Sequence, residues 1–162
     1  MTAPALLFVA NLASTWFLTG LIWTIQLVHY PLFDRVGREG FASYEGAHAR
    51  MITPMVGPAM LIEALTAALL LVARPRFMPA WAAWAGVALV GIAWLSTFLL
   101  QVPMHGTLAR GFDVDAHARL VGTNWIRTAA WTARAVLLAW CAWAALEAAD
   151  HATAADPTGG TR

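Results

Sequence analysis

Residues 26–63, QLVHYPLFDRVGREGFASYEGAHARMITPMVGPAMLIE, decide the fold. They open at the polar end of a charge-free apolar run (5–28), cross a basic and aromatic stretch, and enter a second apolar run (52–72) whose only charge is Glu63. A run of about 20 apolar residues is what an α-helix needs to cross a ~30 Å hydrocarbon core. Two more follow, at 79–100 without a charge and at 128–146 with only Arg134. The bilayer interior offers no water to backbone groups, and nothing here alternates with the period of a barrel strand, so each run reads as a helix. The expected fold is all-α: a polytopic membrane protein in which one domain, residues 1–149, forms a four-transmembrane-helix bundle. The polar residues 150–162 are expected to form a disordered tail.

Composition agrees with this reading. With 60% hydrophobic and 12% charged residues and a mean hydropathy of +0.62, the chain is far more apolar than a soluble domain. A net charge of +1 and scattered basic residues give nucleic-acid binding no footing. The first run lacks a basic leader and is about twice as long as a signal sequence requires, so it reads as a retained span. Cys141 is the only cysteine, which leaves no intrachain disulfide. Every basic residue is arginine and alanine is abundant, a bias of GC-rich bacterial genomes, which points to a bacterial cytoplasmic membrane. Arg35, Arg38, Arg50, Arg110, Arg119 and Arg127 flank the two long loops, against Arg74, Arg76 and Arg162 on the opposite face. The positive-inside rule then puts the long loops in the cytoplasm, with Trp81, Trp84, Trp140 and Trp143 as an aromatic belt at the other interface.

The chain also echoes itself. Gln26 and His29 beside Pro31 are matched by Gln101 and His105 around Pro103, and AHAR occurs at 47–50 and 116–119. This is the pattern of two related hairpins, with proline expected to end the first and third spans.

On every span polar or aromatic residues share a series at three- and four-residue spacing, joined on the second by apolar ones: Trp16, Thr19, Trp23 and Gln26; Glu45, His48, Ile52, Met55, Ala59 and Glu63; Trp94, Thr97 and Gln101; Asn124, Arg127, Trp131 and Arg134. Each series shares a helix face, expected to turn inward. Glu63 and Arg134 lie roughly 10–15 Å inside the membrane at 1.5 Å per residue. Ionised groups at that depth need partners, so an ion pair is expected, either as a structural clamp or as a site in which Arg134 holds Glu63 ready as ligand or base. Glu45 and His48 have the Glu-x-x-His spacing of metal sites in helix bundles. With His29 and His105 they supply donors for iron, copper, manganese or zinc, and His29 with His105 is also a natural pair for a non-covalent haem. A metal-free polar pocket built from the same residues stays open beside these readings. Glu63, Arg134 and Arg127 are the candidate catalytic residues, and Gln26, Gln101, Asn124 and Trp125 the candidate substrate contacts.

HYPLF at 29–33, QVPMHGTL at 101–108 and NWIRT at 124–128 resemble the anthrone-oxygenase-like family of small four-helix membrane proteins. Where the family pattern places asparagine after the third-span proline, this chain has Met104 and His105; His105 and Asn124 are the positions matched. The resemblance implies the same bundle. The expected function is a metal-dependent oxidoreductase or oxygenase whose lipophilic substrate arrives through the bilayer. The alternatives are a proton-coupled carrier or ligand-binding module, working as a homo-oligomer, and an accessory subunit of a membrane complex.

Overall fold

A computed structural model of the chain describes residues 2–155. Among these residues the protein is helical and has no strand. Four rods, Ala3–Arg35, Arg38–Val72, Ala80–Leu108 and Val114–His151, are long and apolar enough to span a membrane. The first consists of α1 (Ala3–Thr24), a π-helical turn (Ile25–His29) and a 3-10 turn (Pro31–Arg35). The second is the single helix α2 (Arg38–Val72). The third joins α3 (Ala80–Ser96) through a π-helical turn (Thr97–Gln101) to α4 (Val102–Leu108), and the fourth is α5 (Val114–Ala155). Local sequence sets the starts: Pro4 occupies the first turn of α1, Pro79 precedes α3, and Asp113 accepts the Ala116 N–H at 2.7 Å, capping α5.

The FASYEGAHAR segment is helix leading into the second span, as its sequence allows, so the connections on that face shrink to 36–37 and 109–113, and the rods overhang the membrane-length segments at this end. Two expectations are corrected here. The expected tail is helical as far as Ala155, because residues 150–155 continue α5; residues 156–162 lie outside the described residues. Proline ends neither the first nor the third rod. Before Pro31 and Pro103 the helix widens instead, Tyr30 N–H reaching Ile25 O at 3.0 Å and Val102 N–H reaching Thr97 O. A wider turn gives the proline ring the room that an α-helical carbonyl would deny it. In both rods the π turn begins six residues before the proline, so the two hairpins share a backbone device as well as an echo in sequence.

α1 packs against α2 and α5, and α3 packs against α5. Phe8, Leu70, Met78, Ala82, Leu138 and Cys141 fill the bundle near the short 73–79 connection. A second apolar cluster, including Leu18, Ile22, Phe33, Phe41, Leu120 and Trp131, fills the overhanging end. Leucines such as Leu6, Leu61, Leu65 and Leu95 are exposed on the outside, as lipid contact requires. Trp81, Trp84, Trp140 and Trp143 are exposed around the short-connection end, and Trp81 meets Trp140 at 5.4 Å.

Candidate functional site

Between the two apolar clusters lies a layer of polar side chains cut off from solvent. Glu63 and Arg134 form the expected ion pair, Nε to Oε1 at 3.0 Å, with 0% and 1% of their side chains exposed. The other atoms of the pair also have partners. Glu63 Oε1 accepts from Thr15 Oγ1 at 2.7 Å and Oε2 from Trp131 Nε1 at 2.9 Å. Arg134 donates through Nη1 to Gly86 O at 2.5 Å and through Nη2 to Asn11 Oδ1 at 2.7 Å. Asn11 Nδ2 donates in turn to Thr66 Oγ1 at 2.8 Å and Glu63 O at 3.0 Å. Gly86 is required by proximity, since a Cβ there would stand 2.7 Å from Arg134 Nη1. A buried pair so completely bonded is held in place on every side.

The overhanging end is built differently. A cavity of about 350 Å³, within the size range of small-molecule sites, lies between α2, the α3–α4 rod, α1 and α5. Most of its wall is apolar, with Leu18, Ile22, Ile52, Val56, Met60 and Phe98 contributing. Tyr30, His48, Gln101, His105 and Arg127 line its polar part. Glu45, 1% exposed, accepts from His105 Nδ1 at 2.5 Å. With Glu45 as the acceptor, His105 is the Nδ1–H tautomer. Its Nε2 is then free to accept from the Tyr30 hydroxyl at 2.9 Å. The Tyr30 oxygen also receives Arg127 Nη2 at 3.3 Å. Tyr30 is thus poised between an acceptor imidazole and a cation, and His117 Nε2 fixes its backbone by donating to Tyr30 O at 2.8 Å.

A relay of amides aims the cation. Gln26 Nε2 donates to Val121 O at 3.2 Å, Asn124 Nδ2 donates to Gln26 Oε1 at 2.8 Å, and Asn124 Oδ1 accepts Arg127 Nε at 2.9 Å and Nη2 at 2.6 Å. Arg127 also donates to Thr97 Oγ1 at 3.3 Å and stands 5.9 Å from the Trp131 ring centroid. It is 6% exposed and, among the described residues, has no carboxylate partner.

The candidate residues therefore separate into groups. Gln101, His48, His105 and Arg127 line the cavity; Gln26, Asn124 and Glu45 stand behind them and orient them. Glu63 and Arg134 do not line it, and their link to it is Trp131, which donates to Glu63 and forms part of the cavity wall. Trp125 does not line it either; it is 46% exposed and packs edge-on against Trp23 at 5.7 Å on the outer surface. The four expected metal ligands are neighbours, but they are joined in pairs: His29 Nε2 to His48 Nδ1 at 2.9 Å, and His105 to Glu45. Among the described residues no group of three or more His, Cys, Asp or Glu is arranged to hold a metal ion. For haem, the Nε2 atoms of His29 and His105 are already engaged by His48 and Tyr30.

Tyr30 was not among the candidates, although the series Trp16, Thr19, Trp23, Gln26 points to it at the next step of four. The inward face of α1 was also misplaced. Trp16 and Trp23 are 54% and 37% exposed, while Asn11 and Thr15 are fully buried. The signal for the true face is Asn11 and Thr15 at four-residue spacing, in phase with Leu18 and Ile22.

Compared with family models, curated proteins and solved structures, the chain has no match in any of the three.

Proposed function

We propose that this protein binds a lipophilic molecule bearing an acidic oxygen or an acidic C–H beside a carbonyl, and removes a proton from it. The observation that carries the reading is Arg127, a buried cation on the wall of an apolar cavity with no carboxylate partner among the described residues. A buried charge is costly unless it is compensated, and a ligand oxyanion would compensate it. His105, oriented by Glu45, is the base, acting through the Tyr30 hydroxyl, and Arg127 holds the resulting phenolate or enolate. An enolate is the form of such a substrate that reacts with an oxidant, so the oxidoreductase or oxygenase expectation keeps proton removal as the step these residues perform. The family resemblance supports this, because its three motifs supply Tyr30, His105, Asn124 and Arg127 to one site. The setting we infer is a bacterial cytoplasmic membrane, with the overhanging end toward the cytoplasm and the substrate arriving through the lipid.

The test uses 6-acetyl-2-naphthol, whose emission separates naphthol from naphtholate, with the protein in lipid nanodiscs. Wild type should bind it and favour the naphtholate. Tyr30→Phe should still bind, but with the naphtholate fraction reduced about tenfold, the scale of one charge-assisted hydrogen bond. Gly57 lines the cavity and has open space around its Cβ position, so Gly57→Leu should abolish binding without unfolding the bundle. Unchanged binding in Gly57→Leu, or an unchanged naphtholate fraction in Tyr30→Phe, would overturn the reading. Elemental analysis is run on the same samples. Stoichiometric iron, copper, manganese or zinc that is lost in the His48→Ala, His105→Ala double variant would replace this mechanism with a metal-centred one.

A further inference from the structure

The cavity wall continues onto the outer surface of the bundle. Thr53, Gly57 and Leu61 on α2 line it, as do Phe98 and Val102 on the third rod, yet Leu61, Phe98 and Val102 are 53%, 57% and 53% exposed. A residue that lines a cavity and is also open to the outside marks its mouth. The spacing on α2 agrees. Ile52, Val56 and Met60 form the inward row of the wall, and Thr53, Gly57 and Leu61 form a second row one residue further round the helix, toward the outside.

The mouth is a slot between two rods. α2 packs against α3 and against α4, but not against the π turn that joins them. The bond from His105 on α4 to Glu45 on α2 bridges the slot at its polar end. Gly57 has no side chain to fill it, and a Cβ there would meet nothing within 4 Å. The rim is apolar: Leu61, Phe98 and Val102 are hydrocarbon, and the Thr53 hydroxyl is turned back to Ala49 O at 2.7 Å. Leu61 and Phe98 belong to the membrane-length apolar runs 52–72 and 79–100, so the slot opens to lipid. Tyr30 and Arg127 come from the first rod and α5, across the cavity from it.

We infer that the ligand is a tailed amphiphile: its polar head rests against Tyr30 and Arg127, and its hydrocarbon chain runs out between α2 and the π turn of the third rod into the bilayer. A chain on this path passes from an apolar wall to acyl chains without meeting water or an unpaired polar group, so the cavity volume does not limit its length. This rests on the cavity being a binding site, as proposed above, and adds the class of molecule and the place where it enters.

Two probes with one head test it in nanodiscs, 6-acetyl-2-naphthol and 6-dodecanoyl-2-naphthol, each affinity being referred to the probe dissolved in the bilayer. Wild type should bind both alike. Thr53→Trp combined with Val102→Trp puts an indole on each lip, at positions exposed enough for the bundle to fold. This double variant should keep the acetyl probe and bind the dodecanoyl probe about tenfold more weakly, the scale of overpacking a filled space. Leu65→Trp, the next step on the same face of α2 and outside the cavity wall, should change neither affinity. A photoreactive diazirine at the end of the dodecanoyl chain should label bilayer lipid, not the buried wall residues Leu18 and Ile22; this labelling, done on wild type, carries the test should the double variant fail to fold. Rejection of the dodecanoyl probe by wild type, a double variant that does not discriminate, or end-of-chain labelling of Leu18 or Ile22 would overturn the tailed ligand while leaving the cavity a site for compact molecules. Failure of both probes to bind would overturn both readings.

Discussion

Arg127 and Arg134 stand about two helical turns apart on one face of α5, and both are almost wholly buried. Their surroundings differ in one decisive respect. Arg134 has a carboxylate, an amide oxygen, a hydroxyl and a backbone carbonyl around it. Arg127 has an amide, two hydroxyls and an indole face, and a cavity beside it. The first arrangement is complete without a ligand; the second leaves a cation for a ligand to neutralise. Burial marks both as important, and only the partners separate a clamp from a site.

The largest expected effect comes from breaking the closed arginine. Arg134→Met leaves Glu63 charged and alone, which should cost about 3–5 kcal/mol, read as a lower unfolding temperature in detergent. Adding Glu63→Gln to it should recover a substantial part, because the residual charge is gone while Thr15 and Trp131 keep a bonding partner. A double variant no more stable than the single would show that the pair is not acting as a charge clamp. Trp131→Phe sits on the boundary between the regions. It strips Glu63 Oε2 of its donor, a loss of about 1–3 kcal/mol, and it should also weaken probe binding, since the same ring forms part of the cavity wall; an effect on stability alone would separate the two regions completely. Trp125→Phe should do least, with stability within about 0.5 kcal/mol and probe affinity unchanged. A loss of affinity there would put the ligand on the outer surface.

How much of this could be read in advance depended on the kind of side chain. The face Asn124, Arg127, Trp131, Arg134 came through intact, all of it buried, because a guanidinium in lipid has almost nowhere to go but inward. Tryptophan carries no such instruction. Trp16 and Trp23 face outward, as an amphipathic ring may in a bilayer, and reading them as inward markers hid Asn11 and Thr15. The ion pair was legible because two isolated charges at one depth need each other. Its surrounding shell was not, because Gly86 contributes only a carbonyl and the absence of a Cβ. The role of Tyr30 depends on side chains from the third and fourth rods, and no spacing within one segment encodes that.

The widened turns at Ile25–His29 and Thr97–Gln101 have a consequence for how this chain can change over evolutionary time. Each holds one residue more than an α-helix would use over the same rise, so it acts as a phase setting for everything beyond it. Loss of a single residue from either turn would restore α-helical phase and swing the following side chains by about 100°. Tyr30 would leave the site in one case and His105 in the other, while the apolar spans toward the opposite face stayed in register. The membrane-spanning scaffold and the chemistry at its end can thus drift separately, divided by one residue in each hairpin.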